Sequence, residues 1–221
     1  MATRVVLAVV VLLLSVAEAA LAQAKVQATV WGGWTYSDGV IGDTFASPNG
    51  EIYTQVDTKN SGSWGIRFGV FVTRNAEAGF IYGRQPTTLE VSGVNIREIG
   101  GIAVNTYHGY FGYRTGDFDQ TVRLFVFLGL GVTNFSSVEF FDFAGQLRTI
   151  PGATKFSGTF GGGVDVFPFQ RVGFQANARW TPAWVTANSG SWWCDPYWGC
   201  YLGTGQYFNQ VELGAGVSIR F

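Results

Sequence analysis

The residues with chemistry to offer are few. Cys194 and Cys200 are the only cysteines, with five residues between them. An even count in an exported chain reads as a disulfide, and an oxidising envelope permits it. A redox pair would want C-x-x-C spacing. Two thiols beside Asp195 lack the further ligands of a metal centre. The expectation is therefore a small disulfide-closed ring, with Pro196 and Gly199 in its tight turn, and no metal. His108 is the single histidine. Hydrolytic chemistry would need a serine and an orienting polar group beside it, but its chain neighbours are Gly109 and Tyr110. It reads as an interior histidine held by hydrogen bonds, with no catalysis and no cofactor expected.

Aromatic residues crowd the cysteines: Trp184, Trp192, Trp193, Tyr197, Trp198 and Tyr201. Rigid rings supply contact area at low entropic cost, so such a cluster suits recognition of a glycan, a protein or lipopolysaccharide. The same rings could pack on one another, cap the structure beneath them, or join an interfacial girdle.

The N-terminus indicates export. Met1 to Arg4 carries one positive charge, Val5 to Val16 is almost wholly apolar, and Ala20-Leu21-Ala22 offers an A-x-A cleavage site before Gln23. Ala17-Glu18-Ala19 and Ala22-Gln23-Ala24 are weaker choices. This is the form of a secretory signal peptide, shorter than the roughly 20 apolar residues of a spanning helix. Residues 1–22 are expected to be removed and 23–221 to form one domain. Charged residues make up 13% of the chain, against about 25% in soluble domains. The net charge of −1 gives no footprint for nucleic acid.

So few charges must be hidden by alternation, and the chain alternates. Val122, Leu124, Val126, Leu128, Leu130 and Val132 share one face, opposite Arg123, Phe125, Phe127, Gly129 and Gly131. Because neighbouring side chains of a strand point to opposite faces, this is one aliphatic and one mixed surface. The same period runs from Val26, Trp64, Glu77, Ala103, Lys155, Val172 and Val211, making eight strands. Three short links alternate with four long ones: Ser37 to Ser63, Arg84 to Gly101, Asn134 to Ala153 and Thr181 to Tyr207. Short turns on one side and long loops on the other belong to an up-and-down membrane barrel with periplasmic termini. Glu51 to Thr58 and Val138 to Phe143 look strand-like, so some hairpins are expected to continue above the bilayer.

Arg67, Arg123, Lys155, Asp165, Arg179, Glu212 and Arg220 all lie opposite the apolar parity of their strands. A soluble barrel would place charge outside; here it falls inside, where a lipid-facing position would cost about 2–4 kcal/mol for Arg or Lys. Trp31, Phe71, Tyr110, Phe125 and Phe127 share that inward parity. Trp34, Tyr36, Tyr82, Tyr113, Trp180 and Tyr207 are placed where girdles form. Arg123 and Asp165 are expected near the periplasmic ends of adjacent strands, and Arg179 and Glu212 at a shared level. An eight-stranded barrel is filled by its own side chains, so an ion-paired plug is favoured over an open pore.

The last strand, VELGAGVSIRF, ends on Phe221 with apolar residues at every second position. It is similar to the C-terminal signal by which the assembly machinery recognises outer-membrane barrels. The mature chain resembles the small eight-stranded superfamily of outer membrane protein A-like and opacity-type surface proteins. That resemblance implies an outer-membrane location, contact with lipid and lipopolysaccharide, and a monomer. It does not carry function, because the superfamily holds anchors, adhesins, narrow pores and a few lipid-modifying enzymes. The expected role is structural or surface-interacting, with a passive pore second and an enzyme last.

Overall fold

A computed structural model describes residues 25–46, 52–141, 146–185, 194–195, 199–200 and 206–221. Residues 1–22, expected as a signal peptide, lie outside them. In chain order the strands are β1 (Val26–Asp38), β2 (Val40–Ala46), β3 (Ile52–Thr58), β4 (Ser61–Phe71), β5 (Ala76–Gly93), β6 (Ile96–Arg114) and β7 (Val122–Phe135). They continue with β8 (Val138–Phe141), β9 (Leu147–Ile150), β10 (Ala153–Val166), β11 (Val172–Val185), β12 (Cys194–Asp195), β13 (Gly199–Cys200) and β14 (Gln206–Arg220). No helix among them is long and apolar enough to cross a membrane.

Eight strands close on themselves. β1 pairs with β14 and β4, and the ladder continues through β11, β10, β7, β6 and β5 back to β4, every pairing antiparallel. Closure leaves no free edge in the spanning region, the condition for a sheet in hydrocarbon. The termini meet at the end with the short turns, where Val26 and Phe221 exchange backbone hydrogen bonds at 3.3 and 2.9 Å.

The outward face is the apolar one. Val122, Leu124, Val126, Leu128, Leu130 and Val132 are exposed, whereas Arg123, Phe125 and Phe127 between them are buried. Those 11 residues, tilted by about 45°, rise roughly 25 Å, the height of a membrane barrel's apolar band. An aromatic girdle bounds it above. Trp64 meets Tyr82 edge-on at 5.5 Å, Tyr82 meets Tyr107 at 5.2 Å, and Trp184 meets Tyr207 at 4.7 Å. Trp34, Tyr36 and Trp180 stand exposed on the same outer face.

The strands outgrow the bilayer. The segment expected as a long loop from Arg84 to Gly101 is mostly strand, since β5 and β6 pair almost to the Gly93–Asn95 turn. β2 and β3 form a hairpin that adds to the upper part of β5, and β8 pairs with β9. Inward positions of these hairpins and of the barrel strands beside them form a hydrophobic cluster of Val40, Val56, Leu89, Val104, Phe135 and Phe208 with their neighbours. Alternation persists above the membrane, but the inward face turns from polar to apolar. Water replaces lipid outside at this height, so the hairpins need an ordinary hydrophobic core within.

Candidate functional site

The lumen is organised in layers, and its lower half holds the charges. Arg114, at the end of β6, donates from Nε and Nη2 to both oxygens of Glu77 at 2.8 and 2.9 Å, and from Nη1 to Asp165. Tyr110 adds a hydrogen bond to Glu77 at 3.1 Å, and Gln27 and Gln175 donate to Asp165 at 3.3 and 2.7 Å. This is a bidentate, fully hydrogen-bonded arrangement, the form in which buried charges are tolerated.

Arg123 and Asp165 are cross-strand neighbours as expected. The ion pair is nonetheless made by Arg114 of β6, reaching past β7 to β10, while Arg123 donates Nε to the Thr115 carbonyl at 3.1 Å. Arg114 and Glu77 were missed by the sequence reading. The signal was available: each lies on the inward parity of its strand, Glu77 as the first residue of its segment and Arg114 one step beyond the last residue of its own.

The middle layer contains the second pair. Arg179 and Glu212 face each other in register and meet at 3.1 Å. Trp31 donates Nε1 to Glu212 at 2.7 Å and Ser63 donates Oγ at 2.9 Å. Among the described residues Arg67 has no carboxylate in contact and lies among rings instead, 4.5 Å from Phe125, 5.5 Å from Phe127 and 6.0 Å from Tyr110. Negative ring faces partly replace a counter-ion there. Lys155 is only half-buried, level with Thr133 near the upper end of β10.

Above the ion pairs runs a belt of hydroxyls and amides. His108 Nε2 and Ser157 Oγ are 2.9 Å apart, and Thr133 donates to the same Ser157 oxygen at 2.9 Å. The fold thus brings a serine to the histidine from 49 residues away, which no local spacing could reveal. Both are buried, and Nδ1 of His108 has no protein partner. The triad geometry needs a carboxylate at that nitrogen. Thr35, Thr106, Thr181 and Gln210 line a cavity of about 10 Å³ beside Arg179, room for one water.

Of the loop aromatics, Trp184 stands on β11 within the girdle. Trp192, Trp193, Tyr197, Trp198 and Tyr201 lie outside the described residues. Cys194 and Cys200 are Cα partners in the β12–β13 ladder, and their side chains lie outside the description. Phe221 is exposed at the periplasmic rim.

A closed barrel with an apolar belt, aromatic girdle and polar lumen is an outer-membrane β-barrel of the small eight-stranded class. No protein-family model and no curated protein matches the chain. Among solved structures it is similar to the outer membrane protein OprG from Pseudomonas aeruginosa, with 12% identity over 90% of this chain and 96% of that one, at a TM-score of 0.60. It is also similar to Neisserial surface protein A, with 16% identity over 90% and 97% of the two chains, at a TM-score of 0.50. At such identities the likeness is one of fold.

Proposed function

We propose that this chain is a non-enzymatic outer-membrane barrel that holds its long loops at the cell surface, in a structural or surface-interacting role. One observation carries the reading: the lumen is filled along its length. Phe71 and Phe118 close the periplasmic mouth, ion pairs and rings occupy the middle, and the hydrophobic cluster seals the outer end. Among the described residues, this filling favours a closed barrel over a substrate cleft or a continuous water path. Reconstituted in planar bilayers, the barrel should show no steps above the lipid baseline. Discrete conductance would move the reading to a narrow pore. Lipid A should keep its mass on expression, since His108 lacks the orienting carboxylate of a hydrolase.

Recognition, in this reading, belongs to the last long loop, with lipopolysaccharide, glycan or protein as partner. Antiparallel Cα partners stand about 4.5–5.5 Å apart, within the disulfide range of about 4.4–6.8 Å, so the Cys194–Cys200 register supports a cross-link. Alkylation without reductant should label neither thiol, and labelling of both would remove the ring. Trp198→Ala should weaken binding to immobilised lipopolysaccharide or glycan while leaving heat-modifiable migration intact.

A further inference from the structure

We propose that the periplasmic end of the lumen binds a monovalent inorganic anion, chloride in the first instance, between Arg123 and Arg220. The two arginines are 0% and 2% exposed. Both lie against the same ring, Phe118, at 6.0 and 5.1 Å from its centroid. That ring is carried into the barrel mouth by the turn between β6 and β7. The turn also takes one N–H from each guanidinium, through the carbonyls of Thr115 and Gln120 at 3.1 and 3.2 Å. Nη1 and Nη2 of Arg123, and Nε and Nη2 of Arg220, are left buried without a protein partner.

Charge at this level does not balance. The buried groups here are the guanidiniums of Arg114, Arg123 and Arg220 against the carboxylates of Glu77 and Asp165. Arg114 engages both carboxylates itself. The carboxylates on the turn, Asp117 and Asp119, are exposed and engaged by Arg74 at 3.1 Å and Lys25 at 3.6 Å. At least one negative charge is therefore lacking, with Arg67 over the Phe125 ring shared with Arg114 adding to the excess, and the deficit lies beside four unsatisfied charged donors. Ring faces relieve part of it, with Arg220 3.3 Å from the Phe167 centroid and Arg123 5.0 Å from that of Phe71, but a ring face accepts no in-plane N–H. Water could satisfy those donors without supplying charge; a single anion does both. The free amide oxygens of Gln27 and Gln175 beside Asp165 call for a donor, so ordered water would share this level with the ion.

Binding to the folded state alone raises stability with ligand concentration. The test is the unfolding midpoint of the mature barrel in detergent, titrated with sodium chloride at ionic strength held constant by sodium gluconate. A saturable rise is expected with chloride. Arg123→Gln or Arg220→Gln should raise the half-saturating concentration at least tenfold, and Lys59→Gln, an exposed residue at the other end of the barrel, should not. Superimposable chloride and gluconate curves would overturn the proposal, as would a saturable rise that survives in the R123Q/R220Q variant. Should these variants not fold, bromide-soaked crystals of the unaltered protein decide: an anomalous peak between the two guanidiniums is expected, and bromide found only on the outer surface refutes it.

Discussion

Arg114 engages two acids at once, because one guanidinium meets carboxylates carried by β5 and β10 on either side of its own strand. Removing it would strip both acids of the ion pairs they make directly, so Arg114→Gln should destabilise more than Glu212→Ala. The latter orphans one charge, Arg179, with the neutral donors of Trp31 and Ser63, and should cost about 3–5 kcal/mol where the site is dry. Urea unfolding from lipid vesicles measures both. Adding Arg179→Ala to Glu212→Ala should recover part of the loss, and a double-mutant cycle without coupling would show that Trp31 and Ser63, rather than Arg179, hold Glu212.

At the scale of elements, the hairpin of β2 and β3 has a titrating latch. Asp57 lies on β3 above the bilayer, and burial, reinforced by Asp38 and Glu90, raises its pKa to about 6, against the lowering effect of the Thr58 backbone N–H. A raised carboxylate pKa means that the folded hairpin favours the neutral acid. Its contribution is fully present below the unfolded value of 3.8 and is lost as pH rises through about 6. Amide exchange in β3, corrected for its intrinsic pH dependence, should show weaker protection at pH 7 than at pH 4.5. Asp57→Asn should flatten that difference. The lower turns behave otherwise: Asn75 donates to the carbonyls of Arg114 and Gly116 at 2.8 and 2.9 Å, tying two turns together with no titrating group in those bonds.

For the whole molecule, the orientation of the faces decides where a charge can be placed. Leu128 is 60% exposed on the outer face of β7, and the register puts it beside Phe111 and Phe160, both also exposed. Leu128→Arg should cost about 2–4 kcal/mol in vesicle folding, as expected for a cation near the midplane, and a neutral effect would mean that this face does not meet lipid. Sealing of the outer end is shared. Phe135 and Phe208 meet edge-on at 5.3 Å, and truncating either to Ala should cost about 3–5 kcal/mol. Neither truncation should open a conductance in planar bilayers, because the ion-paired layer lies below.

Side-chain parity has period two and is a local property, so strand number, the outward apolar belt, the inward charges and the shared level of Arg179 and Glu212 could be read along the chain. Glu51 to Thr58 and Val138 to Phe143 likewise betrayed strands within long loops. Choice of partner across the lumen is not local. It depends on strand tilt and on closure, which carry Arg114 to an acid 51 residues away, past the register neighbour Arg123. The same closure delivers Ser157 to His108 and gathers Val40, Val56, Phe135 and Phe208 from four strands into one core. Those meetings were decided only by the tertiary structure, because alternation specifies which way a side chain points but not what it finds there.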